Sequence, residues 1–175
     1  DRWKIGRAIE IAAKRANGPK PVRLMVKLNQ ASLVDEGLPG FIKEQLSVHG
    51  VAGNCLLLQV PESKAFINLV AVQELANEVG KLGCQMVLEQ FGAGIDSLQL
   101  LSHFKPGFIK LDPSFMEDLS KSIPNQQKVQ ELTHKARELG ILGIAAGVQD
   151  AGSMSSLFTS GIDYVEGDFL AQSGP

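Results

Sequence analysis

Six strongly apolar runs punctuate the chain: "VRLMVKL" (22–28), "CLLLQV" (55–60), "CQMVLEQF" (84–91), "GFIKLD" (107–112), "ILGIAAGV" (141–148) and "DYVEGDF" (163–169). Most are apolar on successive residues rather than on every second one. That pattern predicts strands covered on both faces. The segments between them carry helical spacing. "RWKIGRAIEIAAKRA" places Trp3, Ile5, Ala8, Ile9 and Ala12 at helical intervals, and "LPGFIKEQLSVHG" follows the first strand. "KAFINLVAVQELANEVGKLG" reads as one helix opened by Ser63 and closed near Gly83. "DSLQLLSHF" starts at Asp96, "NQQKVQELTHKARELG" runs from Asn125 to Gly140, and "DAGSMSSLFTSG" runs from Asp150 to Gly161. Asp, Asn and Ser at the starts and Gly at the ends are the residues that satisfy exposed helix termini.

Strand and helix in alternation predict an α/β fold with a parallel sheet and right-handed crossovers. A complete (β/α)8 TIM barrel takes about 250 residues. This sequence has 175 residues and opens on a helix. The expectation is therefore a single domain, 1–175, with a TIM-barrel-like fold lacking its N-terminal strand or strands. The alternative is an open doubly wound sheet. Against it, no Gly-rich dinucleotide fingerprint follows any strand.

Composition narrows the function without choosing it. Hydrophobic content of 44% and charged content of 21% describe a globular chain rather than a disordered one. A net charge of −2 gives no electrostatic footprint for DNA or RNA. A small anion remains compatible, because backbone N–H groups hold phosphate without net positive charge. Neither a membrane-length apolar stretch nor a signal-peptide pattern occurs, so the cytoplasm is the expected compartment. Cys55 and Cys84 head apolar runs and read as reduced, buried thiols.

In either fold, ligand chemistry gathers at the C-terminal ends of the strands. Those ends carry Lys27 and Asn29, Gln59 and Glu62, Glu89 and Gln90, Lys110 and Asp112, Ala146 and Gln149, and Glu166. A polar group at every strand end marks a site. His49, His103 and His134 share no metal-ligand spacing and read as helix-surface residues. Glu62 reads as a carboxylate favoured by a helix N-terminus.

At these positions the chain resembles the EAL domain, a bacterial family that hydrolyses cyclic di-GMP. "DRW", "VKLNQASL", "LLLQVPES", "VLEQFGAGIDSL", "FIKLDPSF", "GIAAGVQD" and "DYVEGDFL" stand in the order and spacing of that family, from Asp1 to about Leu170. The strand that gives the family its name would precede Asp1. The resemblance implies a degenerate site. Active members read "VNLS", "EITES", "DDFGTG" and "AEGVET". Here Lys27 replaces a metal-binding Asn and Gln59 a metal-binding Glu. Glu89 and Gln90 replace two Asp, Ala146 replaces a Glu needed for catalysis, and Gln149 replaces another carboxylate. The family Gln of "QGY" is Glu166, followed by Gly167 and then Phe169. Lys110 alone is unchanged among the family's catalytic positions.

The chemistry of these changes runs in one direction. Hard divalent cations take anionic oxygen ligands, and two-metal phosphodiester hydrolysis needs carboxylates to neutralise both ions. The core of the site keeps one, Glu89. Lys27 adds a cation, and like charges about 4 Å apart repel by about 4 kcal/mol at an effective dielectric of 20. Lys27 is therefore expected to stand in for the lost metal and pair with Glu89, with no metal or cofactor required. As implied by the resemblance, Asp1, Lys110, Glu166, Gly167 and Phe169 contact cyclic di-GMP, with Asp1 and Glu166 accepting from guanine edges.

The resulting expectation is a catalytically inactive cyclic di-GMP receptor, most like the FimX type. That type regulates type IV pili, twitching motility and biofilm, and passes its signal to a PilZ-domain protein. Two alternatives stay open: an EAL-like scaffold that binds no ligand, and an active phosphodiesterase supported by Lys110 and Glu89.

Overall fold

The structure is a computed structural model that describes residues 1–16, 18, 22–94 and 96–166. The chain forms two compact units, Asp1–Val87 and Leu88–Pro175. Each is an assembly of helices on parallel strands.

The first unit runs α1 (Arg2–Arg15), β1 (Leu24–Lys27), α2 (Gln30–Leu33), α3 (Leu38–His49), β2 (Leu56–Pro61), α4 (Glu62–Ile67) and α5 (Leu69–Gly80). β1 and β2 pair in parallel, with Leu24 opposite Leu56 and Lys27 opposite Gln59. The Leu28 N–H extends the ladder to the Gln59 carbonyl at 2.8 Å. β2 is buried from Leu56 through Val60, as a strand covered on both faces must be. β1 instead alternates: Val26 is buried while Met25 and Lys27 are exposed. Arg23 and Lys27, four apart in "RLMVK" and so on one face, carry that period.

α1 packs on β1 and α3. Its buried stripe is Ile5, Ala8, Ile9 and Ala12, the i, i+3, i+4, i+7 pattern of a helix with one apolar face. Trp3, expected on that face, lies off the stripe and is 78% exposed. At the helix start, the Arg2 guanidinium holds Asp35 through contacts of 3.0–3.2 Å and lies 5.3 Å from the Phe41 ring centroid. Gly53 allows the backbones of two turns to approach closely, since a Cβ there would collide with the Leu82 carbonyl oxygen.

The second unit takes the chain from β3 (Gln85–Phe91), which crosses the unit boundary, through α6 (Ser97–His103), β4 (Phe108–Leu111), α7 (Ile123–Glu138), β5 (Leu142–Ala145), α8 (Ala151–Thr159) and β6 (Tyr164–Val165). β4 pairs in parallel with β5, and β5 with β6. α7 packs on β5 and buries Val129, Leu132, Thr133 and Ala136. Side-chain oxygens of Ser122 and Asp150 cap α7 and α8, accepting from Asn125 N at 3.3 Å and Ser153 N at 2.7 Å. That bond, helped by the Ser153 side chain, holds the Asp150 carboxyl below its ordinary value of 3.8.

Three helix boundaries differ from expectation. The helix opened by Ser63 starts one residue earlier, at Glu62, and breaks at Asn68 into α4 and α5. Asn68 leaves helical geometry at φ −113° and its side-chain amide donates to the Lys64 carbonyl, the local competition that makes Asn a poor mid-helix residue. α7 starts at Ile123 rather than Asn125, because Pro124 suits the first turn of a helix. α2 was not expected at all: its four residues are too few to show a helical period.

Among the described residues, no helix is long and apolar enough to cross a membrane. The Cys84 thiol is buried, and burial, with Cys55 as a lesser contributor, pushes it up to about 12. Cys55 is half-buried rather than buried, and its thiol is also raised by burial.

Candidate functional site

In the first unit the segment after β1 closes on Asp1. Its carboxylate Oδ2 accepts the Asn29 N–H at 2.6 Å and the Ser32 hydroxyl at 2.7 Å. Asn29 caps α2, its Oδ1 accepting the Ser32 N–H at 2.9 Å. Three residues thus close a ring of hydrogen bonds between the start of α1 and the loop that follows β1. Asp1 stands at the N-cap of α1, yet its side chain does not cap that helix.

Lys27 closes β1 with its side chain exposed, opposite the buried Gln59. Glu62 lies in the first turn of α4, where the helix dipole favours a carboxylate, and is buried.

In the second unit, Glu89 is buried near the end of β3 and Gln90 beside it is exposed. Gln90 adopts φ +53°, a left-handed conformation costing a non-glycine residue roughly 1–2 kcal/mol. Gly92 follows at φ +95°, where a Cβ would press to 2.7 Å on Leu132 and Phe115. The tight turn of "EQFGAG" therefore depends on that glycine.

Lys110 and Glu166 meet directly. Nζ of Lys110 lies 2.9 Å from Oε2 of Glu166, with the lysine side chain 14% exposed and the glutamate side chain 43% exposed. The Glu166 backbone is fixed on both sides: its N–H donates to Ala145 O at 2.7 Å, and its carbonyl accepts from Val148 N at 3.1 Å. Ala146 sits between those two anchor points, half-buried, and Gln149 is exposed beyond them. Gly167 and Phe169 lie outside the described residues.

The donor set does not fit a pair of divalent cations. Of the degenerate positions only Glu89 is anionic; Gln59, Gln90 and Gln149 are amides, Ala146 offers no donor, and Lys27 is cationic. Among the described residues, no three His, Cys, Asp or Glu side chains are grouped so as to hold an ion. The sequence reading named Asp1 but not its clamp. The signal was present in "NQAS", where Asn at an N-cap and Ser three residues on mark a helix start even when the helix is one turn long.

Comparison with known proteins locates this arrangement. The EAL domain family matches residues 1–173. The chain is similar to the FimX EAL domain of Xanthomonas citri, solved in complex with cyclic di-GMP. Identity is 44% and the TM-score 0.93, over 100% of this chain and 69% of that one. It is similar also to the FimX EAL domain of Pseudomonas aeruginosa bound to cyclic di-GMP, at 30% identity and TM-score 0.90, again over 100% and 69%. The cyclic di-GMP phosphodiesterase PdeF of Escherichia coli is 25% identical over 175 residues, 100% of this chain and 23% of PdeF. The chain spans about a quarter of the length of the first curated relatives it matches. The fold is the EAL TIM-barrel fold, of which the described residues supply six strands, and the chain belongs to the EAL domain family.

Proposed function

We propose that the chain is a cyclic di-GMP receptor that does not cleave its ligand. The observation that carries this reading is the donor set: amides, an alanine and a lysine stand where the family's hydrolases hold metal with carboxylates. Binding and hydrolysis make different demands. Hydrolysis needs anionic ligands to hold metal and to activate water. Binding needs acceptors for the guanine edges, and Asp1 and Glu166 are such acceptors. The cyclic di-GMP complexes of the FimX EAL domains support the ligand assignment.

On the resemblance to the family, Gly167, Phe169 and Lys110, whose charge Glu166 balances, also contact the ligand. No metal is required. On the FimX likeness, the receptor acts in the bacterial cytoplasm on type IV pilus function, twitching motility and biofilm formation, through a PilZ-domain protein. Hydrolysis is the second reading, favoured by the PdeF likeness and by Lys110; the missing carboxylates weigh against it.

Calorimetric titration with cyclic di-GMP, with and without Mg2+, separates the readings when each mixture is assayed for the linear dinucleotide. Metal-independent heat without product is the expected result. Turnover overturns the receptor reading, and silence under both conditions favours a scaffold.

A further inference from the structure

We infer that Ser32 is a positioning residue for the ligand: it holds the Asp1 carboxylate so that one oxygen, Oδ1, faces the guanine edge. This rests on the proposal that Asp1 accepts from guanine, and it deepens that proposal by naming what sets its geometry and selectivity.

The hydrogen-bond pattern at Asp1 is the starting point. An Asp at a helix N-cap ordinarily turns its carboxylate onto the N–H groups of its own first turn. Asp1 holds the N-cap of α1 and makes no such bond. Its backbone carbonyl still accepts the Ile5 N–H at 2.9 Å, so the helix starts normally. The carboxylate points instead at the loop after β1, where Ser32 Oγ and Asn29 N both donate to Oδ2, at 2.7 and 2.6 Å. The cap is given up for an arrangement that fixes the carboxylate between two elements.

Ser32 makes that arrangement rigid. It is buried, at 8% exposure, and its own N–H is held by the Asn29 side chain. The hydroxyl therefore donates from a fixed backbone. A carboxylate oxygen offers about two lone-pair sites. Both sites on Oδ2 are filled by Asn29 and Ser32. Among the described residues, Oδ1 accepts no hydrogen bond. Donors on a ligand consequently meet a single oxygen whose orientation is already set. Holding an acceptor in its bound geometry removes part of the ordering cost of binding.

The geometry constrains recognition. A guanine offers adjacent N1–H and N2–H donors, and a forked contact would need both oxygens of the carboxylate. Asp1 receives them on Oδ1 alone. Without the Ser32 hydroxyl the carboxylate turns more freely, and the loss falls mainly on discrimination for the 2-amino group. A hypoxanthine base, which lacks that group, is then excluded less well.

The test titrates cyclic di-GMP and its inosine analogue into the wild-type protein, Ser32→Ala, Ser32→Thr, Ser32→Cys, Asp1→Asn and the Asp1→Asn/Ser32→Ala double variant. Circular dichroism controls for folding. Ser32→Ala is expected to bind cyclic di-GMP up to about tenfold more weakly, because the Asp1 side chain must then be ordered on binding, at a cost of about 0.5–1.5 kcal/mol. Its preference for the guanine ligand over the inosine ligand should shrink by a similar factor. Ser32→Thr, which keeps the hydroxyl, should stay within about threefold of wild type, and the double variant should match Asp1→Asn, since Ser32 acts through Asp1. If Ser32→Ala fails to fold, Ser32→Cys decides: its weak donor should give intermediate affinity and selectivity. Unchanged affinity in Asp1→Asn overturns the placement of guanine on Asp1. A large effect of Asp1→Asn with unchanged selectivity in Ser32→Ala (or in Ser32→Cys, should Ser32→Ala not fold), or with fully additive losses, overturns the positioning role alone. A wild-type protein that binds neither ligand overturns both.

Discussion

Asp1 in the first unit and Glu166 in the second are both carboxylates whose recorded side-chain contacts fall on one oxygen, but their partners differ in kind. Asp1 is held by an N–H and an O–H, both neutral, and keeps its negative charge uncompensated by them. Glu166 is held by the Lys110 ammonium, and the pair is close to neutral. Neutral donors fix direction and leave charge for a ligand's donors. A cation fixes direction too, but it competes with those donors for the same carboxylate and is screened by salt. Oε2 of Glu166 also has room for a second donor, whereas Oδ2 of Asp1 is full. On the proposed ligand assignment, Glu166 would take a guanine edge with both oxygens and Asp1 with a single oxygen.

The largest expected effect is on ligand affinity. Glu166→Ala should weaken cyclic di-GMP by roughly 10- to 1000-fold in a calorimetric titration, because two charge-assisted hydrogen bonds are lost. Glu166→Gln should weaken it as well, since an amide has one acceptor and brings a donor toward the guanine N–H groups. The same variants test the partner. Lys110 loses its counter-ion, which at a position with the glutamate 43% exposed should lower stability by up to about 1 kcal/mol, read as a small drop in Tm. The ion pair thus gives Glu166 a small part in stability beside its part in the ligand surface. Wild-type affinity in both variants would remove Glu166 from the ligand surface.

The contrast sharpens with ionic strength. Lys110→Met frees Glu166 from its cation, and in that variant the salt dependence of cyclic di-GMP affinity should change by severalfold between 0.05 and 0.5 M salt. Ser32→Ala, which removes a neutral donor, should shift affinity without altering the salt slope. Equal slopes in both variants would show that the two carboxylates are held by equivalent means.

Strand and helix alternation, the parallel pairing and the Asp150 cap of α8 were readable from the sequence, because each follows from local chemistry. The runs at 55–60 and 84–91 announce buried strands, and Asp150 and Gly161 bracket α8. What could not be read depends on contacts between distant residues. Nothing in "DRW" says that its Asp turns away from its own helix toward Asn29 and Ser32, 28 and 31 residues on. Nothing in "FIKLD" says that Lys110 reaches Glu166. The split at Asn68 lies between the two cases: Asn is a weak helix residue, but the surrounding apolar spacing concealed the break.

A smaller effect concerns acid stability. Asp35, in the first unit, is lowered from its ordinary 3.8 by the Arg2 guanidinium; Asp150, in the second, is lowered by the Ser153 N–H and its side chain. A carboxylate lowered on folding stabilises fully above its unfolded value and loses that contribution as pH falls through its folded value. Thermal unfolding between about pH 5 and 2 should therefore be less pH-dependent in Asp35→Asn and in Asp150→Asn than in wild type. The Asp35 contribution should also fade at high salt, and the Asp150 contribution should not. An unchanged pH slope in either variant removes that carboxylate from the acid response.

The smallest effect lies in the thiols. Cys84, pushed up to about 12, stays protonated and buried at neutral pH, whereas Cys55 is half-buried. A thiol reagent should label Cys55 slowly and Cys84 only after unfolding. Prompt labelling of Cys84 in the native protein would contradict its burial.

Metal-independent ligand binding tests the central claim most directly. Cyclic di-GMP titrated into the protein in the presence of a chelator, and again with millimolar Mg2+, should give the same affinity and stoichiometry, with no linear dinucleotide formed on prolonged incubation. Affinity that appears only with Mg2+, accompanied by product, would show that Glu89 and the amides around it still hold metal and that the chain is an enzyme.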